Sequence, residues 1–187
     1  MNTPQNPPPL PNEVYATFCS GIDQASVQKI MNGISFASQN NVTHFHLLFQ
    51  SSGGAVNDGI CLHNFFKTCP IPLTIYNAGA VQSIGLIAYL GAQTRMASKS
   101  ATFMIHRTTG PAIPLTTNRL ESVKKAVSLD DFRTEEIIKQ YSAVSAEQWA
   151  KLTDNEFWFT ANDAVASGIA TAIGEFSPVS GKPIYNI

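Results

Sequence analysis

The sequence predicts an α/β protein organised around a parallel sheet. Segments of strand composition alternate with segments of helical spacing through the first half of the chain, which is typical of β-α-β units. Of the 187 residues, 44% are hydrophobic, which is enough for a sizeable core and too much for a mainly disordered chain. The length suits one domain, which we place at residues 14–187, behind a flexible Pro-rich tail over residues 1–13.

The first half of the domain contains five elements. They are predicted strands at 14–19, 44–50 and 71–76 and predicted helices at 23–39 and 55–67. In the first helix the apolar residues from Val27 to Ile34 recur at helical spacing, which indicates one buried face. The strand HFHLLFQ ends at a Ser-Ser-Gly-Gly turn, and the third strand is introduced by Pro70.

The second half begins with small apolar residues and ends with polar helices. Residues 78–92 contain Gly79, Gly85 and Gly91 and predict a turn followed by a buried helix, before short strands at 94–97 and 102–106. Residues 145–148 resemble a capping box for a short helix. Thr160 is placed to cap a last helix, which runs through Ser167 and ends at Gly168.

One long helix is predicted over residues 117–141, which would extend about 35 Å. Its apolar residues are too widely spread around the helix to form one stripe facing the core; they are Leu120, Val123, Val127, Ile137 and Ile138. A domain of this size cannot bury both sides of such a helix. We therefore expect it to project toward a partner.

Charge and cysteine content exclude several classes of protein. Twelve Lys and Arg residues against 13 Asp and Glu residues give a net charge of −1, without the basic surplus usual for binding nucleic acid or anionic membranes. Only 13% of residues are charged, which is consistent with surface buried in an oligomer or with a surface rich in Ser, Thr, Asn and Gln. The three cysteines do not form a disulfide framework; they are Cys19, Cys61 and Cys69.

Metal, membrane and secretion signals are also absent from the sequence. A structural zinc site needs two ligand pairs, and the second pair is missing beside Cys61, His63 and Cys69. The pair His44 and His46 is no stronger a candidate for a metal site. We therefore expect neither a metal nor an organic cofactor. The first 12 residues do not form a secretory signal, and no apolar stretch reaches the roughly 18 residues that span a membrane. The expected compartment is a reducing cytoplasm.

Two glycine turns, each between a strand and a helix, mark the candidate site: Ser52-Gly53-Gly54 and the segment from Gly79 to Gly85. Glycine allows a ligand to approach the backbone, and free N–H groups at a helix start favour negative charge. Neither phosphate-binding motif, GxxxxGK[ST] or GxGxxG, is present. An oxyanion hole for acyl transfer is therefore the better interpretation.

Ser83 and His106 are the candidate catalytic pair. Ser83 starts the buried helix and His106 ends a strand, although a capping serine and a structural histidine are common at such positions. A carboxylate that orients the imidazole would come from Asp154 or Glu156. The α/β-hydrolase motif GxSxG is not matched, because Val81 stands where its first glycine belongs.

Residues 14–174 resemble the proteolytic subunit of the Clp protease, the ClpP family. FQSSGGAV is similar to the family's SPGG segment, GAVQSIG to its GxAAS[MI]G nucleophile motif, FMIHR to its MIHQ strand, and the run beginning WFTA to its closing FLSAxEAxxYGLID pattern. The resemblance implies the ClpP/crotonase-like fold, which has repeated ββα units and a projecting handle helix, here residues 117–141.

The resemblance also implies a role for each site residue. Ser83 would be the nucleophile and His106 the general base, with the N–H groups of Gly54 and Ile84 as the oxyanion hole. Glu156 occupies the position of the family's aspartate, so we favour it over Asp154 as the acid. The segments that bind an extended peptide by β-addition would contain Gly53, Ile113, Pro114 and Leu115.

The expected function is a serine endopeptidase that acts on peptides or unfolded proteins inside homo-oligomeric rings. The family's AAA+ ATPase partner is a weaker expectation, because about a dozen Pro-rich residues replace the longer N-terminal region through which such a partner docks. Two alternatives stay open. One is a ring-forming subunit with little or no activity, and the other is a crotonase-type enzyme acting on acyl-CoA.

Overall fold

The computed structural model describes residues 13–110, 116–150 and 156–187. Within these ranges, strands and helices alternate in the order β1, α1, β2, α2, β3, β4, α3, β5, β6, α4, α5, β7, α6, β8, β9. The strands are Glu13–Cys19, His44–Gln50, Leu73–Asn77, Ala80–Gln82, Thr94–Ala97, Thr102–Ile105, Phe157–Thr160, Ala172–Ile173 and Ile184–Asn186. The helices are Gln24–Gln39, Val56–Lys67, Ile84–Leu90, Thr117–Tyr141, Ala146–Ala150 and Ala161–Ala166.

Two sheets form in the described part of the chain. The larger has the order β8-β5-β3-β2-β1-β9, and all its neighbouring strands run parallel, as predicted. The smaller has the order β4-β6-β7, in which β4 and β6 are parallel and β7 is antiparallel to β6. A bridge between Ser51 and Val81 joins the end of β2 to β4. This bridge brings the two predicted glycine turns together.

The hydrophobic core lies between the central strands and helices α1, α2 and α3. In β2 the side chains of Phe45, Leu47 and Phe49 are buried in strict alternation, because successive side chains of a strand point to opposite faces. Ile30 and Ile34 of α1 are likewise fully buried, as their spacing predicts. Every residue of α3 is buried. This short helix therefore starts at a fixed place, which matters because Ser83 precedes it.

The predicted caps and most element bounds are confirmed. Thr160 caps α6 in a capping box with Asp163, as predicted, and a capping box that was not predicted starts α1, where Asp23 accepts the Ser26 N–H at 2.7 Å. Ser145 and Gln148 cap α5 reciprocally, at 2.8 and 3.1 Å. Strands β4, β7, β8 and β9 were not predicted as strands; three of them, β4, β8 and β9, have two or three residues, which are too few for a period-two pattern to show.

Helix α4 projects from the domain, as its length predicts. Its buried residues are Thr134 and Ile138, both in its second half. Arg133 ties that half to α2, because its Nη2 donates to the Asn57 side chain at 2.8 Å. Leu129 and Phe132 leave 56% and 61% of their surface exposed. The helix thus carries large apolar side chains that the described residues of this chain do not cover.

Among the described ranges, no helix combines the length and apolarity needed to cross a membrane. Cys19, Cys61 and Cys69 are all free thiols. The predicted tail falls outside the described residues up to position 12, and Glu13 already belongs to β1.

The two histidine groups weighed as metal ligands are engaged otherwise. His63 is buried and its Nδ1 lies 2.9 Å from the Ile87 carbonyl, while burial lowers its pKa. His44 and His46 stack on each other with ring centroids 4.1 Å apart. One ring nitrogen of each lies near a hydroxyl: His44 Nε2 is 2.8 Å from Thr74 Oγ1, and His46 Nδ1 is 2.9 Å from Tyr76 Oη.

Candidate active site

Ser83 lies at a sharp turn between β4 and α3. Its backbone has φ 54° and ψ −132°, a conformation that non-glycine residues rarely adopt. Two hydrogen bonds hold it, because its N–H donates to Met104 O at 2.8 Å and its carbonyl accepts the Leu86 N–H at 3.0 Å. Its hydroxyl makes no capping bond to α3. The Ser83 side chain therefore does not serve as a helix cap.

His106 follows the last residue of β6 and reaches Ser83. Since β4 and β6 run parallel, with Gln82 paired to Met104, their carboxyl ends meet at the same edge. Nε2 of His106 lies 2.8 Å from Oγ of Ser83, which is hydrogen-bond distance. The structure thus brings together two side chains that are 23 residues apart, in the arrangement of a base beside a hydroxyl nucleophile.

The Gly53-Gly54 turn lies against the same serine. A Cβ on Gly53 would lie 2.7 Å from Ser83 Cβ, and one on Gly54 would overlap the Ile22 carbonyl. Both glycines also have positive φ, at 103° and 154°, so no larger residue fits here without strain. The hydroxyl of buried Ser51 accepts the Gly53 N–H at 3.1 Å and stabilises the turn. Sequence reasoning missed this role of Ser51.

Two backbone donors are free beside Ser83. The N–H groups of Gly54 and Ile84 donate to no acceptor within the described ranges. Both residues line the cavity that contains Ser83 and His106. Free N–H groups beside a nucleophile are the arrangement that can hold the negative oxygen of a tetrahedral intermediate.

The cavity next to Ser83 is lined by both apolar and hydroxyl-bearing side chains. Its remaining lining residues are Val56, Ile87, Ile105, Arg107, Thr108, Thr109 and Thr134. Such a mixture can take a side chain of a substrate while the backbone groups hold its polar atoms.

Glu156, the favoured acid, is brought near His106 by the β6–β7 pairing, but its side chain is turned elsewhere. The β6–β7 register ends with Ile105 opposite Phe157, so His106 and Glu156 are the next residues at the adjoining strand ends. The Glu156 carboxylate is exposed and accepts the Trp158 indole N–H at 3.0 Å. Nδ1 of His106 has no hydrogen-bond partner in the part of the chain that is described.

The other predicted site residues lie outside the described residues. They are Asp154, the alternative acid, and the substrate-binding residues Ile113, Pro114 and Leu115.

Sequence reasoning also missed Asp131 and Trp149, which contact the residues directly after His106. The signal available was Arg107, which departs from the glutamine of the MIHQ pattern and pairs with both.

Comparisons with known proteins identify the family. The family model for Clp protease matches residues 10–176. The chain is 22% identical over 162 residues to the ATP-dependent Clp protease proteolytic subunit 3 of Rhizobium meliloti, covering 86% of this chain and 80% of that protein. It is 25% identical over 163 residues to the proteolytic subunit 2 of Corynebacterium diphtheriae, covering 82% and 78%.

A solved structure shows the same fold. A ClpP1 mutant from Listeria monocytogenes matches with a TM-score of 0.75 and 24% identity, over 88% of this chain and 92% of that one. The resemblance and the α/β fold predicted from sequence are confirmed. The match of the family model over residues 10–176 shows that the chain belongs to the Clp protease family.

Proposed function

We propose that the chain is a serine endopeptidase that cleaves peptide bonds by acyl transfer through Ser83. The observation that carries the proposal is the 2.8 Å approach of His106 Nε2 to Ser83 Oγ. The strained turn at Ser83 and the free N–H groups of Gly54 and Ile84 support it, since a nucleophile, a base and an oxyanion hole are then side by side.

The reaction would follow from these positions. His106 Nε2 takes the hydroxyl proton while Ser83 Oγ bonds to the peptide carbonyl carbon, and the two N–H groups hold the resulting oxyanion. The imidazolium then gives its proton to the leaving amine as the C–N bond breaks. Water, deprotonated by His106, attacks the acyl-enzyme and releases the acid, and Ser83 recovers its proton. These steps require no metal or organic cofactor and no ATP.

The proposed substrate is an extended peptide or an unfolded protein. The half-apolar cavity beside Ser83 supports this, because it offers room for one substrate side chain next to the nucleophile. Pairing of the substrate backbone with Gly53 and with residues 113–115 stays a prediction. The relatives are named ATP-dependent, and we assign any use of ATP to a separate AAA+ partner.

We also propose that Glu156 is the acid that steadies His106, by turning from Trp158 toward Nδ1. Glu156→Gln keeps the volume but removes the charge, so turnover should fall by about a hundredfold or more. Asp154→Asn should reduce turnover much less. Steady-state hydrolysis of a fluorogenic peptide measures both, and the reverse order of effects would make Asp154 the acid.

Assembly into homo-oligomeric rings through α4 is a further part of the proposal, supported by its exposed apolar residues. Leu129→Glu with Phe132→Glu should yield smaller species with weaker activity, because burying unpaired carboxylates is unfavourable. Light scattering after size exclusion measures the masses. Ser128→Glu, which adds a charge on the same helix without removing an apolar group, is the control.

Val123 and Val127 are less suitable for this test. They lie beside Gly110, since a Cβ added to Gly110 would be 3.6 Å from Val123 Cγ1 and 3.8 Å from Val127 Cγ2. Substitutions of Val123 or Val127 would therefore also disturb contacts within the chain. An unmodified chain that is monomeric at micromolar concentration, and fully active, would contradict the assembly proposal.

We place the activity in a reducing cytoplasm, which the three free thiols support.

Two other functions can be tested alongside the proposed one. An inactive ring-forming subunit is favoured by the engagement of Glu156 with Trp158, and a crotonase-type acyl-CoA enzyme by the paired backbone donors at Gly54 and Ile84. Assays of the purified protein with fluorogenic peptides and with acyl-CoA thioesters, side by side, separate the three. Peptide turnover alone supports the proposal, thioester turnover alone supports the crotonase function, and neither supports the inactive subunit.

A further inference from the structure

The residues directly after His106 form no regular secondary structure, yet they are held at two points. Residues 106–110 leave β6 and run toward α4. The Thr108 N–H donates to Oδ1 of Asp131 at 2.7 Å, and Oδ2 of the same carboxylate lies 3.5 Å from Nη1 of Arg107. One carboxylate on α4 therefore binds both residues that follow the imidazole.

Arg107 is held from its other side by α5. Its guanidinium lies over the Trp149 ring, 5.5 Å from the centroid, and Nη2 donates to the Trp149 carbonyl at 3.3 Å. The Trp149 side chain is buried, and the Asp131 side chain is only 17% exposed. Charge-assisted hydrogen bonds that are shielded from water are stronger and more directional than exposed ion pairs.

We propose that Asp131 is a positioning residue for the reaction at Ser83. This inference rests on the proposed function. Asp131 fixes the backbone at Arg107 and Thr108, and this fixed backbone holds the ring of the preceding residue, His106. Within the described ranges, the hydrogen-bond partner of that ring is Ser83. A displacement of about 1 Å at a reacting group can reduce a rate by about a hundredfold. Asp131 itself does not touch the reacting atoms.

The test compares Asp131→Ala with Asp131→Asn. The alanine removes both contacts, so kcat for a fluorogenic peptide should fall by about tenfold to a hundredfold while KM changes by less than about twofold. The asparagine keeps an oxygen that can accept the Thr108 N–H, so it should recover part of kcat. Asp130→Ala is the control, because Asp130 is the adjacent residue and pairs with Arg133 instead.

A spectroscopic measurement makes the inference independent of turnover. The imidazole ¹⁵N signals of His106 should lose the signature of the hydrogen bond to Ser83 in Asp131→Ala and regain it in Asp131→Asn. Wild-type kcat and unchanged imidazole signals in Asp131→Ala, or equal losses in Asp130→Ala, would overturn the inference. If the wild-type chain hydrolyses no peptide, the proposed function fails, and the imidazole signals still decide whether Asp131 positions His106.

Discussion

Ser83→Ala should abolish peptide hydrolysis, lowering kcat by at least about 10⁴-fold. Alanine has the same Cβ as serine, so it fits the turn at φ 54° with the strain that is already present and leaves α3 in place. The loss would come from the missing Oγ, the atom 2.8 Å from His106 Nε2. Steady-state hydrolysis measures the effect, and thermal melting with light scattering checks fold and assembly.

The effects of substituting Ser83 and His106 should be non-additive. His106→Ala should lower kcat by a similar factor, and the double variant should be scarcely worse than either single variant, because nucleophile and base act as a unit. Independent, multiplying losses would show that the two side chains do not cooperate. Robust hydrolysis by purified Ser83→Ala would overturn the proposed function outright.

Gly54→Ala has the other large expected effect, a loss of at least about a hundredfold in kcat. The new methyl group would overlap the Ile22 carbonyl. That carbonyl also accepts the Ala55 N–H at 2.9 Å, while the Ile22 N–H donates to Gly53 at 2.8 Å. The turn must shift to make room, and the Gly54 N–H then no longer points where the oxyanion forms.

Gly21→Ala is the matched control for this prediction. A Cβ on Gly21 would meet the Gly53 carbonyl at 3.6 Å, an ordinary contact against the same turn, so activity should stay within about twofold of wild type. Peptide kcat and the melting temperature are measured for both variants. A folded Gly54→Ala protein with wild-type kcat would show that Gly54 is not an oxyanion donor.

Much of the fold follows from local sequence. Long periodic segments such as Thr117–Tyr141 were predicted at their observed bounds, because 25 residues of helical pattern outweigh any local ambiguity. The cap at Thr160 is equally clear from the sequence, since a side-chain oxygen before a helix has one common use. The order of the family-like motifs predicts that Ser83 and His106 act as a pair. The parallel course of β4 and β6 explains why the two side chains meet.

The remaining features depend on tertiary contacts. Ala80–Gln82 becomes a strand only because β6 pairs with it, and its three residues carry no pattern of their own. Asp131 lies 24 positions from Arg107 on another element, so apart from the departure at Arg107 itself nothing in the local sequence indicates their contact. The direction of the Glu156 side chain depends on its hydrogen bond to Trp158, which register alone does not determine.

The central claim is that Ser83 is an activated nucleophile, and labelling by a fluorophosphonate probe tests it most directly. The intact assembly would be weighed by native mass spectrometry before and after the probe, with peptide mapping to locate the adduct. We expect an assembly far above the 20.2 kDa of one chain that gains one adduct per subunit at Ser83, and no adduct in Ser83→Ala. A chain that remains unlabelled, or an adduct that persists in Ser83→Ala, would contradict it.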